Sequence, residues 1–245
     1  MKADPYAQRR LLDLQAIDTA LGQLAHRRRT LPELPELDRL ARELAALTDE
    51  RVRAEVSVDD IDRDIARLEK DIDQVRARAD RDRVRLDAGT GPAKELEALQ
   101  HELGTLARRQ TELEDAELEL MEQREQAQGG LDGIAARVAA AQQRRAELEA
   151  RRDASLAEIE RDEQSRTAAR APLAGELPAD LLALYERIRE ASGVGAALLR
   201  AGRCEGCRLE LSGSERSRVR AAAADEMVRC DECGRILVRT EESGL

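Results

Sequence analysis

Between Leu37 and Leu86 the apolar residues fall on one alternating 3,4 spacing, and that regularity limits what the chain can fold into. Leu37, Leu40, Leu44, Leu47, Ala54, Val58, Ile61, Ile65, Leu68, Ile72, Val75, Ala79 and Leu86 form the series, interrupted only at Arg51 and Asp82. Such spacing places the side chains on one stripe of an α-helix. Sustained for about seven heptads, it goes beyond the three or four that mark a coiled coil. A stripe this long needs a partner of similar length to cover it.

The chain supplies that partner after DAGTGPAKE, where Gly89 and Gly91 permit a turn and Pro92 suits the first turn of a new helix. Leu96, Leu99, Leu103, Leu106, Leu113, Leu120, Ala127, Leu131, Ile134, Val138, Ala141, Leu148 and Ile159 make a second series. It is less clean, with Gln110, Glu117, Arg124, Arg145 and Arg152 at seam positions. Gly129, Gly130 and Gly133 weaken the helix by roughly 1 kcal/mol each relative to Ala and suggest a bend. A fold-back near Thr90 sets Leu86 near Leu96 and Leu37 near Arg145. Helices pairing between chains are the alternative; the short Gly/Pro turn favours the hairpin within one chain, and both monomer and dimer stay open.

A shorter helical stretch precedes these, with Leu14, Ile17, Leu21, Leu24 and Leu31 on a similar stripe. Pro32 and Pro35 break or kink the chain there, because proline lacks an amide donor and restricts the residue before it. This first segment, residues 7–30, pairs with the last part of the second long helix. Pro172 and Gly175 end that helix, and Pro178 starts a shorter one carrying Leu181, Leu182, Leu184, Tyr185 and Ile188.

Composition agrees. The chain has no Phe or Trp and only two Tyr, so the aromatic area that fills compact cores is missing, while 38% of residues are charged. The heptad residues are first of all a packing seam, and the flanking charges a solvated helix face. A net charge of −10 disfavours nonspecific binding to a nucleic-acid backbone by the whole molecule. No apolar run spans a bilayer and MKADPYAQRR lacks the core of a signal peptide, so the expected location is cytoplasmic, away from membranes.

The chemistry sits near the C-terminus. Cys204-Glu-Gly-Cys207 and Cys230-Asp-Glu-Cys233 are two C-x-x-C pairs with 22 residues between them. In a reducing compartment four cysteines point to metal before disulfides. Each pair can turn two thiolates to a common point, and together they complete the tetrahedral S4 set that zinc favours. A redox C-x-x-C pair and an iron–sulfur cluster are the competing readings. One structural zinc per chain is expected, with no open coordination position for catalysis. Short strands are expected at residues 196–200, 227–229 and 236–240, with a helix over 214–224 between the knuckles. The predicted architecture is mainly α: residues 1–171 a coiled-coil hairpin with a break near 32–35 and a tip near 88–93, and residues 172–245 a short helix plus zinc ribbon.

Residues 203–245 contain eight Arg against nine Asp or Glu. Arg216, Arg218 and Arg220, joined by Arg203, Arg208 and Arg235, are the candidate contacts to a partner. A solvated arginine face is the plainer reading; an acidic protein surface or a phosphate backbone is the functional one. The ribbon has no aromatic on which to stack a base. His26 and His101 lie off the apolar series, and no catalytic constellation or phosphate loop is present.

The order of a hairpin with the tip PAKELEALQHEL, then LLALYERIR, CEGCRLEL and VRCDECGRILV, resembles a bacterial family of coiled-coil hairpins bearing a four-cysteine zinc ribbon. The resemblance implies a long, kinked helical hairpin with metal held by Cys204, Cys207, Cys230 and Cys233. Some members of that family are implicated in flagellar or type III secretion biology, where they bind the nitrogen-type alternative sigma factor, secretion components or messenger RNA. An adaptor or chaperone-like role toward a protein partner is therefore expected, with a nucleic-acid-binding regulator as the alternative and no enzymatic activity.

Overall fold

Helix α1 (Pro5–Arg29) opens with Asp4 as N-cap, its carboxylate accepting from the Tyr6 amide at 2.7 Å, and with proline at the first helical position. It stops before the Leu31–Pro32 turn. Helix α2 (Glu33–Asp87) then runs unbroken to the glycine turn, where Gly89 takes a left-handed φ of 60°. Helix α3 (Ala93–Gly175) follows. The computed structural model describes residues 1–245, which divide into two compact units: Pro35–Glu149, and Met1–Leu34 together with Ala150–Leu245.

The first unit is the hairpin. Leu40, Leu47, Ile134, Val138, Ala141 and Leu148 form its best-buried cluster, with Leu37, Leu44 and Ala54 packed against it. Exposed cross-helix ion pairs follow an antiparallel register: Arg137–Glu50 at 3.2 Å, Arg124–Asp62 at 3.0 Å, Arg76–Glu114 at 2.7 Å and Arg78–Glu102 at 2.7 Å. Each contributes only about 0–1 kcal/mol, so the pairs tune the register while the leucine seam stabilises it. Arg124 thus snorkels out of its seam position to reach Asp62. The backbone stays helical through Gly129, Gly130 and Gly133.

The second unit holds the ribbon. After helix α4 (Ala179–Ser192) come strands β1 (Ala196–Arg200) and β2 (Arg203–Cys204), helix α5 (Gly213–Ala221), strands β3 (Val228–Arg229) and β4 (Ile236–Val238), and a closing 3₁₀ turn at Glu241–Ser243. The sheet order is β2-β1-β4-β3, with β1 and β4 parallel and both outer pairs antiparallel. All three β4 residues are buried, which requires cover on both faces. Ile236, Val238 and Ala196 pack against Ala3, Ala7, Leu11 and Leu14 of the N-terminal segment and Leu181, Tyr185 and Ile188 of α4. Leu237, Ala197 and Leu199 face Leu211, Val219, Val228 and the knuckles.

The sequence reading lacks strand β2 and carries the last strand and α5 two or three residues too far, and it differs at two further points. Pro172 lies inside α3, which continues to Gly175. Proline removes one hydrogen bond, but three residues from the end that loss is small, and Leu173 and Ala174 pack against the core by staying in line. Residues 1–34 do pair with the end of α3, through Arg27–Glu158, Arg28–Glu163 and Asp18–Arg170, and Arg10 reaches Glu176 just beyond it. They also lie in the unit that contains the ribbon, which a division at residue 171 does not express.

Candidate metal centre and its supports

The two knuckles are built alike. The Arg208 amide returns to the Cys204 carbonyl at 2.7 Å, and the Gly234 amide to the Cys230 carbonyl at 2.8 Å. Each of these turn-closing residues has a left-handed backbone, φ 64° at Arg208 and 71° at Gly234. Glycine does this without strain; arginine costs roughly 1–2 kcal/mol. The Cys204 amide then bonds the Leu209 carbonyl, and the Cys230 amide the Arg235 carbonyl, each at 3.0 Å.

These turns bring the four sulfurs together, all within 4.8 Å of one another. The Cys204 and Cys233 Sγ atoms are 3.8 Å apart and those of Cys207 and Cys230 3.9 Å. A regular tetrahedron with Zn–S bonds of about 2.3 Å places its sulfurs about 3.8 Å apart, so the set fits zinc. The separations are far beyond the ~2.05 Å of a disulfide. Cys204 and Cys230 are buried, while Cys207 and Cys233 are half-buried. Without a cation, burial pushes the Cys204 thiol up to about 12 and Cys230 up to about 11. Backbone amides of Gly206 and Cys207 oppose that rise at Cys204, and those of Glu232 and Cys233 at Cys230. A divalent ion would hold all four as thiolates and stabilise a sheet whose strands are only two to five residues long.

The six candidate contact arginines separate into different roles. Arg235 donates to the Gly206 carbonyl at 2.8 Å, so it braces the first knuckle from the opposite half of the ribbon. Arg218 pairs with Asp231 at 2.6 Å and Arg203 with Glu210 at 3.4 Å. Arg216 packs against Gly202. Arg208 and Arg220 are exposed. The six therefore do not form one patch.

Other residues that matter here carry no local sequence signal. Glu215, almost fully buried, accepts the Asp231 amide at 2.9 Å and so holds the second knuckle. Arg239 donates to the carbonyls of Val219, Ala222, Ala223, Ala224 and Glu226, tying off the end of α5. Gln15 of α1 accepts the Gly195 amide at 2.7 Å and the Ala196 amide at 3.3 Å, anchoring the start of β1. Beside it, the Asp18 carboxylate takes two bonds from Arg170, at 2.6 and 3.1 Å, and one from the Tyr185 hydroxyl at 2.7 Å. Arg170 also reaches Glu186, which pairs with Arg189. Burial alone would push the Asp18 and Glu186 carboxyls up; the arginine bonds outweigh it and hold both below their usual values. Burial and the bond to Asp18 raise the Tyr185 phenol.

Residues 14–193 match the CT398-like coiled coil hairpin domain and residues 203–237 the C4-type zinc ribbon domain. The chain is 41% identical to the protein Rv2229c of Mycobacterium tuberculosis across 98% of both chains. It is 34% identical to ML1638 of Mycobacterium leprae across 91% of this chain and 96% of that one. A Mycobacterium smegmatis structure aligns with a TM-score of 0.87 at 38% identity, covering 98% of this chain and 100% of that one. CT398 from Chlamydia trachomatis aligns at 0.68 and 19% identity, over 94% and 96% of the chains, and so shares the fold. No helix is long and apolar enough to cross a membrane. Hairpin, knuckle geometry and these matches agree: the chain belongs to the CT398-like coiled-coil hairpin family and carries a C4-type zinc ribbon.

Proposed function

We propose that the chain is a cytoplasmic, non-enzymatic adaptor in which a coiled-coil arm carries a zinc-stabilised head that engages a protein partner. The observation that carries this reading is the closed thiolate set. Four protein sulfurs at tetrahedral spacing fill the coordination sphere of one zinc, so the metal serves the fold and offers no position for substrate. The hairpin adds a long solvated surface. The ribbon arginines support a protein partner over a nucleic acid, because Arg235, Arg218 and Arg203 are occupied within the chain. A phosphate backbone is held by several free cations at once.

The test is capture of the tagged, zinc-loaded full chain from cells that make it, followed by reconstitution with purified components. A stoichiometric protein that rebinds in isolation is expected. Recovery of RNA alone, with steep salt dependence, would replace the adaptor reading with the nucleic-acid one.

A further inference from the structure

Acids and arginines interleave along most of the hairpin, but residues 111–125 of α3 carry seven acids against Arg124 alone. Arg124 gives its charge to Asp62, while Arg109 pairs with Glu112 and Arg76 crosses from α2 to Glu114. Two further arginines of α2 at this level stay on their own helix, Arg63 with Asp60 and Arg67 with Asp64. Asp115, Glu119, Glu122 and Glu125 are thus exposed with no cation in ion-pair contact. They sit three or four residues apart, the spacing at which like charges destabilise a helix. Among them stand two large apolar side chains, Leu118 at 59% and Met121 at 50% exposure. At 3.6 residues per turn, Asp115, Leu118, Met121, Glu122 and Glu125 share one face about 120° wide. Leu113 and Leu120 turn the other way, into the seam. No three of these carboxylates converge closely enough to hold a metal ion.

We infer that this outer face of α3, centred on Leu118 and Met121, docks a cationic amphipathic helix of a partner protein. Apolar anchors one turn apart are what a helical partner reads, and the flanking carboxylates select basic residues beside its own apolar stripe. The sign of the charge decides the class of occupant. A phosphate backbone or an anionic lipid surface is repelled here, and so is a second copy presenting the same face. The surface belongs to the Pro35–Glu149 unit and goes beyond the role proposed for the head.

The experiment is fluorescence anisotropy of a labelled lysine–leucine helical peptide, LKKLLKLLKKLLKL, with the zinc-loaded full chain at about 50 mM salt, where exposed charges are only partly screened. Tetradecalysine, which has the charge without the apolar stripe, is the comparator. Saturable binding of the helical peptide is expected, at least about tenfold tighter than that of tetradecalysine. It should weaken at least about fivefold in Leu118→Gln/Met121→Gln and in Glu122→Gln/Glu125→Gln. It should stay unchanged in Glu43→Gln/Glu97→Gln, which removes two exposed, unpaired carboxylates elsewhere on the hairpin. All six substituted residues are exposed, so the variants keep the hairpin fold. Absence of binding, or parent-like binding by the Leu118/Met121 variant, overturns the inference. Equal weakening in the Glu43/Glu97 variant, or equal affinity for tetradecalysine, shows attraction by net charge alone and overturns it also.

Discussion

Replacing Asp18 with asparagine should loosen the ribbon-bearing unit by about 2–3 kcal/mol at neutral pH. The Asp18 side chain is 4% exposed and receives Arg170, Tyr185 and, at 3.5 Å, Arg189. Removing one partner from a buried ion pair typically costs about 3–5 kcal/mol, because the other charge is stranded. Here Arg170 and Arg189 keep Glu186 and some solvent, which brings the cost to about 2–3 kcal/mol, at or below that range. The pH dependence follows from the sign of the shifts. Asp18 and Glu186 both have lowered folded pKa values, so their stabilisation is fully present above the unfolded values of about 4 and lost as pH falls through the depressed folded ones. The difference between parent and variant should therefore be flat from about pH 5.5 to 8. Two compact units make a single global unfolding energy ill-defined, so the assay is hydrogen exchange of residues 179–200 in the zinc-loaded chain. The variant should exchange about 30- to 150-fold faster there, the equivalent of 2–3 kcal/mol. A change under about twofold, or a difference that varies tenfold between pH 6 and 8, would show that the network is not an Asp18-centred ionic clamp.

Three further outcomes follow from the same geometry. Cys230→Ser should abolish the one zinc per chain measured by metal analysis and speed exchange in β1, β4 and α4, while circular dichroism retains most helicity because Pro35–Glu149 forms its own unit. Gly195→Ala should destabilise the same unit by about 2–4 kcal/mol in exchange experiments, since its Cβ would lie 2.5 Å from the Tyr185 ring and 2.8 Å from the Tyr185 carbonyl oxygen. Arg208→Gly should slow exchange around Cys204–Cys207 by up to about tenfold, as it relieves a left-handed arginine with no loss of metal.

The parts of the fold that were readable from sequence are those encoded over short spans. The heptad stripe from Leu37 to Leu86 declares its helix by local period alone, and Gly89 to Pro92 declares the turn. The two C-x-x-C pairs announce a four-sulfur site because each knuckle is a local turn, even though the halves must meet across 22 residues. The supports of the site are different in kind. Gln15 meets Gly195 and Asp18 meets Tyr185 across separations of 180 and 167 residues, and no periodicity in either segment marks the pairing. The arginines fail as a sequence cluster for a related reason. Arg216, Arg218 and Arg220 are close in number, but the helix turns Arg216 to Gly202 and Arg218 to Asp231 and leaves Arg220 exposed, and only tertiary contacts separate a brace such as Arg235 from a free cation.

Those long-range supports explain how so small a sheet persists without Phe or Trp. Strand β4 has three residues, all buried, and its two faces are covered by different means. One face rests on α5 and the knuckles, which depend on the metal. The other rests on α1 and α4, where Tyr185 is the one large aromatic in the core and spends its hydroxyl on Asp18 and Gln15. Gln15 in turn holds the amides at the start of β1, the strand that leads into Cys204. Zinc and the Asp18 network thus stabilise opposite faces of the same β1–β4 pair, and weakening either side exposes the other. Loss of metal should accordingly be felt at α4, and loss of Asp18 should lower zinc retention against a chelator, although the carboxylate itself never touches the metal.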